Sequence, residues 1–215
     1  MQRFQSKDIA DLDKRYRTNL VNSLSGFKSV NLIGTVDAEG TTNVSVFSSV
    51  IHLGANPALM GFIMRPVSVT RDTYNNIMAT GHYTFNHITA DFFGKAHQSS
   101  ARYPANISEF AAVDLTAQYK DDFPAPYVAE SPIQIGLEFR EQMEIQLNGT
   151  ILMIGAVKEL YVPEDCLQAD GYLDIEKAGT ITVSGLDAYH TTRKLARLSY
   201  AKADRALRAL EGKLK

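Results

Sequence analysis

The chain has 215 residues, 45% of them hydrophobic and 21% charged, and a formal net charge of −2. That composition suits a folded domain, and the charge gives the whole chain no pull toward nucleic acid or an anionic membrane. A single cysteine, Cys166, excludes an internal disulfide and a multi-thiolate metal site.

The length fits one domain over residues 1–215. The first residues, MQRFQSKDIADLDKRY, are charged throughout and lack the apolar segment of a signal peptide. No apolar run approaches the roughly 18 residues of a membrane span, so cytoplasm is the expected location and no membrane partner is expected. An N-terminal helix is predicted over about 8–25, with Asp8 as cap, Ile9, Leu12, Tyr16 and Leu20 at helical spacing, and Gly26 as stop. Ser29 to Asp37 is β-rich, Ala38-Glu39-Gly40 is turn chemistry, and Asn43 to Leu53 resumes as a strand. Ala58 to Met64 makes a third strand. Thr70 to Ala79 predicts a short helix capped by Thr70 and ended by Gly81.

His82 to Ile88 alternates as a strand, and Thr89 to Ser100 predicts a helix weakened by Gly94. Four prolines make residues 101–132 a loop-rich stretch. Ile133 to Leu147 and Thr150 to Tyr161 flank Asn148-Gly149, a pair suited to a two-residue hairpin turn. Residues 162–190 look irregular. A closing helix is predicted over about 191–214, with Leu195, Leu198, Leu207, Leu210 and Leu214 on one side. Its eight Lys and Arg residues read as a solvated face balancing an acidic body, and no nucleic-acid partner is expected. Strands dominate and helices are peripheral, a pattern that suits a small barrel.

No G-x-G-x-x-G follows a strand, which argues against a dinucleotide-binding Rossmann unit. His82 and His87 are five positions apart and face opposite sides of one strand, so no metal site is expected. The informative stretch runs from Thr35 to Asn86. Asn43-Val44-Ser45-Val46-Phe47-Ser48-Ser49 is either a polar ladder on a wet sheet face or a strand that hydrogen-bonds a flat heteroaromatic ring. Arg65 and then Thr70-Arg71-Asp72-Thr73 place hydroxyls and arginines at a helix start, which is either a good cap or a phosphate cradle.

The order of these pieces carries more than any one of them. Thr35-Val36-Asp37, Gly40, Asn43-x-Ser45-x-Phe47-Ser48-Ser49, Asn56-Pro57-Ala58-Leu59, Arg65-Pro66, Asp72-Thr73-x-x-Asn76-Ile77 and Phe85-Asn86 together resemble the flavin reductase-like family of FMN-binding split barrels. Further echoes are Ser108-Glu109-Phe110, Leu115-Thr116 and Ala129-Glu130-Ser131-Pro132-Ile133, so the likeness covers about Arg15 to Tyr161.

The resemblance implies a mainly β fold: a six-stranded split β-barrel with peripheral helices, forming a homodimer with FMN near the interface. It places Asn43, Ser45, Val46, Phe47 and Ser48 along the isoalloxazine edge, and Arg65, Thr70, Arg71 and Thr73 around the phosphate. Asn86, His87 and Ile88 would approach the ring or ribityl chain, and Lys95 would present a cation. His87 stands where an aliphatic residue is commoner in the family. In Gly185-Leu186-Asp187-Ala188-Tyr189-His190, Tyr189 or His190 is the local candidate for contact with nicotinamide or flavin; the other reading is an ordinary loop. The implied activity is an oxidoreductase in which NAD(P)H passes hydride to flavin N5 and donors from Ser45 or the backbone near Phe47 steady charge at the N1–C2=O side. Two alternatives are an FMN-bound electron carrier or sensor without nicotinamide turnover, and a flavin-free binding module.

Overall fold

The computed structural model describes residues 1–67, 69, 71–104 and 106–213. In chain order the elements begin with α1 (Ser6–Asp11), α2 (Lys14–Ser23), β1 (Lys28–Ser29), β2 (Asn31–Val36), β3 (Thr42–Phe47), β4 (Ile51–Ala55) and β5 (Ala58–Met64). Next come α3 (Asp72–Thr80), β6 (His82–His87), α4 (Phe93–Gln98), α5 (Glu109–Ala112), β7 (Ala117–Gln118) and β8 (Tyr127–Val128). The long strands β9 (Gln134–Ile145) and β10 (Thr150–Tyr161) follow. Four short strands close the chain: β11 (Thr182–Ser184), β12 (Ala188–His190), β13 (Ala196–Leu198) and β14 (Ala209–Gly212). The protein is mainly β. Seven strands form one antiparallel sheet in the order β3-β2-β6-β9-β10-β5-β4, with β3 and β4 at its edges. No helix among the described residues is long and apolar enough to cross a membrane.

Strand β2 shows why the core sits where it does. All six of its residues are buried, because successive side chains enter opposite faces and both faces are covered. Leu32 joins a cluster with Val44, Ile88, Phe92 and Phe110. Its neighbour Ile33 joins a second cluster with Phe62, Met64, Ile77, Phe85 and Leu137. Burying each such side chain contributes about 1.5–3 kcal/mol. Phe62 centres the second cluster, meeting Phe47 edge-on at 5.0 Å and Phe85 at 5.8 Å. The first of these contacts anchors the end of β3 to the core.

Several elements differ from the sequence reading. The N-terminal helix predicted over 8–25 is two helices, broken where Leu12 turns extended. Asp8 does not cap it; the Gln5 amide donates to the Asp8 carboxylate at 2.7 Å. Asp13 restarts the helix by accepting from the amides of Arg15 (2.9 Å) and Tyr16 (3.1 Å). The strand predicted from Asn43 to Leu53 splits into β3 and β4, because the Ser49 hydroxyl ties the bend to Ile63 through both its amide (3.1 Å) and its carbonyl (3.2 Å). Asn148-Gly149 sits in a four-residue loop rather than a two-residue turn, since pairing stops at Ile145↔Thr150. Only Phe93–Gln98 of the stretch 89–100 is helical, and residues 182–190, read as irregular, form β11 and β12.

The helix predicted over 191–214 is absent from the described residues; β13 and β14 pair there as an antiparallel arm. Leu214 lies outside the described residues. The reason is tertiary. Extended backbone lets Lys194 reach Asp174 (2.6 Å) and Glu211 (2.9 Å), and lets Arg197 reach Asp170 (2.6 Å) while its guanidinium lies 4.0 Å from the Tyr172 ring centre. Helix propensity differences of a few tenths of a kcal/mol per residue do not outweigh that set of contacts.

Candidate functional site

A cleft of about 710 Å³ opens at the β3 edge of the sheet. Its walls are β3 with the following bend, the start of α3, residues 99–103 after α4, and Glu109 of α5. Because β3 is an edge strand, one row of its backbone N–H and C=O groups is unpaired by the sheet. Ser45, Val46, Phe47 and Ser48 all line the cleft along that edge. Among the described residues, the hydroxyls of Ser45 and Ser48 have no protein partner.

Three arginines, Arg65, Arg71 and Arg102, line the same cleft, and among the described residues none forms an ion pair. Asp72 and Glu109 are the acids beside them. Burial, reinforced by the neighbouring Asp72 charge, pushes the Glu109 carboxyl above its usual range and so favours its neutral form. Helix α3 begins at Asp72 and its N-cap, Arg71, makes no side-chain cap hydrogen bond. The first-turn amides and the positive end of the helix dipole therefore face the cleft side of the sheet without a cap from that residue. The Nε of Arg71 is buried and has no hydrogen-bond partner among the described residues. Leaving a buried donor unmet costs about 1–3 kcal/mol, which an accepting ligand would recover. Thr70, the expected cap, lies outside the described residues.

Asn43 and Thr73 line the cleft but spend their side chains on each other. The Thr73 hydroxyl donates to Asn43 Oδ1 at 3.0 Å, and Asn43 Nδ2 donates to Glu109 at 2.7 Å. Thr35 also donates to Asn43 Oδ1, at 3.3 Å, and accepts from Asn76 Nδ2 at 3.1 Å. This buried chain joins β2, β3, α3 and α5 beneath the cleft.

Other expected positions fall elsewhere. Asn86 is fully buried in β6, the strand between β2 and β9, and its amide is used by the Leu32 carbonyl (3.2 Å), Thr84 (2.9 Å) and the Val128 amide (3.0 Å). Ile88 belongs to the core. His87 pairs its Nδ1 with Thr180 at 3.0 Å, and burial pushes its pKa down to about 4. Lys95 is tied to Asp114 at 2.6 Å. His190 contacts Ser184 at 2.9 Å and meets Phe27 edge-on. None of these five lines the cleft, because each sits in the sheet interior or is bonded across another surface.

Tyr189 lines a side cleft of about 350 Å³ that shares Val46, Ser48, Arg65, Ser100 and Leu186 with the main one. His97 Nδ1 lies 3.0 Å from the Tyr189 hydroxyl, and Phe93 packs on the Tyr189 ring at 5.4 Å. The sequence reading missed His97, Ser99, Ser100, Arg102, Tyr103 and Glu109. The Ser99-Ser100 pair and Arg102-Tyr103 at the start of the proline-rich loop were the available signals. The site thus joins an edge strand and its following bend, with hydroxyls that have no partner among the described residues, to a helix start bearing Arg71, with Arg65 and Arg102 nearby, which suits a flat polar ring carrying an anionic group.

The fold and the family are shared with known proteins. A split-barrel protein of Shewanella frigidimarina NCIMB 400, itself proposed as a flavin reductase, is 48% identical, with a TM-score of 0.90 over 94% of this chain and 100% of that one. Nitrilotriacetate monooxygenase component B from Bacillus cereus shares the fold at 20% identity, TM-score 0.77, covering 90% and 96% of the two chains. Flavoredoxin of Desulfovibrio vulgaris (Miyazaki F) does so at 24% identity, TM-score 0.68, covering 83% and 91%. No curated protein matches the chain. The model of the flavin reductase like domain matches residues 24–182, and the chain belongs to that family of split-barrel proteins.

Proposed function

We propose that this protein binds FMN in the 710 Å³ cleft and works, as a homodimer, as an NAD(P)H-dependent oxidoreductase. One observation carries the reading: the start of α3 has no side-chain cap from Arg71, and among the described residues the buried Arg71 Nε and the hydroxyls of Ser45 and Ser48 in the same cleft have no partner. That combination supports a phosphorylated, hydrogen-bonding ring as ligand.

In this reading Arg71, Arg65 and the first-turn amides of α3 receive the phosphate by charge-assisted hydrogen bonds. Ser45 and Ser48 donate to the ring's polar edge, and the unpaired backbone of β3 offers further donors where negative charge gathers. Val46 and Phe47 exclude water from one side. Bound there, FMN would supply the two-electron chemistry, with a nicotinamide as the hydride donor. The side cleft beside Tyr189 and His97 has room for that second reactant, with Arg65 and Ser100 at the passage between the two.

The test is an FMN titration of the purified protein followed by anaerobic NADH or NADPH. Saturable binding and bleaching of the yellow absorption are expected. Binding without bleaching by either donor would remove the reductase activity and leave an electron carrier or sensor; absence of binding would remove the flavin altogether.

A further inference from the structure

Glu109 is out of place by charge. It is an acid in an arginine-lined cleft, 8% exposed, yet the described structure pairs it with an asparagine rather than with an arginine. An acid set there to balance charge would meet a guanidinium. One set there to accept a hydrogen bond would meet an amide, as this one does.

Helix α5 is only four residues long and is pinned on both sides of Glu109. Before it, the Ser108 hydroxyl lies 2.7 Å from that of Thr42 on β3; after it, Phe110 is buried in the core. The carboxyl is therefore held against β3 by its neighbours, and Oε2 accepts from Asn43 Nδ2 at 2.7 Å. An amide has a donor end and an acceptor end. With its donor end committed to Glu109, Asn43 must turn Oδ1 toward the hydroxyls of Thr73 and Thr35, which donate to it at 3.0 and 3.3 Å. Thr35, its proton given away, accepts from Asn76 at 3.1 Å. Thr73 and Asn76 are both on α3, one in its first turn and one just beyond. The direction of every bond in this chain follows from there being an acceptor at position 109.

We propose that Glu109 is a positioning residue: by fixing the orientation of the Asn43 amide it holds the first turn of α3 in the place where the phosphate of the flavin is received. The inference rests on the FMN reading and deepens it, since it assigns a buried acid to phosphate selectivity without any contact between the two. Loss of the acceptor frees the Asn43 amide to rotate, releases the Thr73 hydroxyl, and loosens the helix start, while β3 stays paired to β2 and its opposite, ring-binding edge keeps its place.

The experiment compares dissociation constants for FMN and for riboflavin, which lacks only the phosphate, by fluorescence titration of the full chain. Glu109→Met keeps the volume and removes the acceptor, Glu109→Gln keeps an acceptor oxygen, and Arg71→Ala removes a proposed phosphate ligand. Glu109→Met is expected to weaken FMN by about tenfold, the worth of one good buried hydrogen bond, and riboflavin by less than about twofold. Glu109→Gln is expected to keep the wild-type ratio. Should Glu109→Met fail to fold, as judged by circular dichroism, Glu109→Ala takes its place with the same expectation.

Equal weakening of both flavins, no weakening of either, or a Glu109→Gln variant that behaves like Glu109→Met would overturn the proposal. If Arg71→Ala lowers the FMN-to-riboflavin preference and the acceptor-free variant does not, the FMN reading stands and the positioning role alone falls. A wild-type protein that binds neither flavin, or both equally, defeats the FMN reading first.

Discussion

At the scale of single residues, an aromatic or polar side chain in this sheet gives no outward sign of whether it faces a ligand or the core. Ser45, Ser48 and Arg71 each had an ordinary reading as a polar ladder or a helix start; the family resemblance singled them out, and the fold brings all three to one cleft. Asn86 and His87 carry equally polar side chains, but β6 is an interior strand and the surrounding backbone consumes them. His87 then has a measurable consequence. The unfolded chain takes up its proton near the ordinary value of 6.5, whereas the folded protein stays neutral there until about pH 4. A depressed folded-state value means stability is full above 6.5 and is lost progressively as pH falls toward about 4. Urea midpoints measured across that range should fall for the wild type and change less for His87→Gln. Parallel curves would count against a buried, neutral His87.

At the scale of elements, the β framework was readable wherever turns and alternation coincided: β2, β3, β5, β6 and the β9–β10 pair were all expected near their observed places. The alternation fails to announce close approaches between strands. A Cβ on Gly34 would lie 2.2 Å from the Pro126 carbonyl oxygen and 2.6 Å from Thr84 Oγ1, and the first of these is backbone that cannot step aside. Gly34→Ala is therefore expected to cost about 3 kcal/mol, the upper end for overpacking a tight site. That corresponds to a melting temperature lower by about 6–12 °C in a chain of this size. Gly94→Ala, with nothing within 4 Å of the added carbon, serves as the contrast and should leave the melting temperature unchanged or raised. The C-terminal arm was not legible at all. Its alanines, leucines and arginines favour a helix locally, and only partners at Asp170, Asp174 and Glu211 reveal why it stays extended.

At the scale of the molecule, several large apolar side chains stand exposed. Ile51 and Leu53 lie exposed on the edge strand β4, and Met143 and Leu147, the latter 98% exposed, project from the β9–β10 end. Exposed apolar side chains that gather into one patch mark association surfaces. They support the homodimer, and light scattering after size exclusion should return twice the mass of one chain. A monomer at micromolar concentration would refute the dimer while leaving the cleft intact.

The Lys194–Arg197 contacts have a consequence for any attempt to trim this protein. Asp170 and Asp174 lie in one loop, and among the described residues their ion-pair partners are Arg197 and Lys194, both from the last part of the chain. Cutting the polypeptide ahead of position 194 would take the Arg197 and Lys194 cations away from Asp170 and Asp174 and strip the cover from the Tyr172 ring. The apparent tail is a brace for its own upstream neighbour, and shortening it would be felt first at residues 165–177, not at the new terminus.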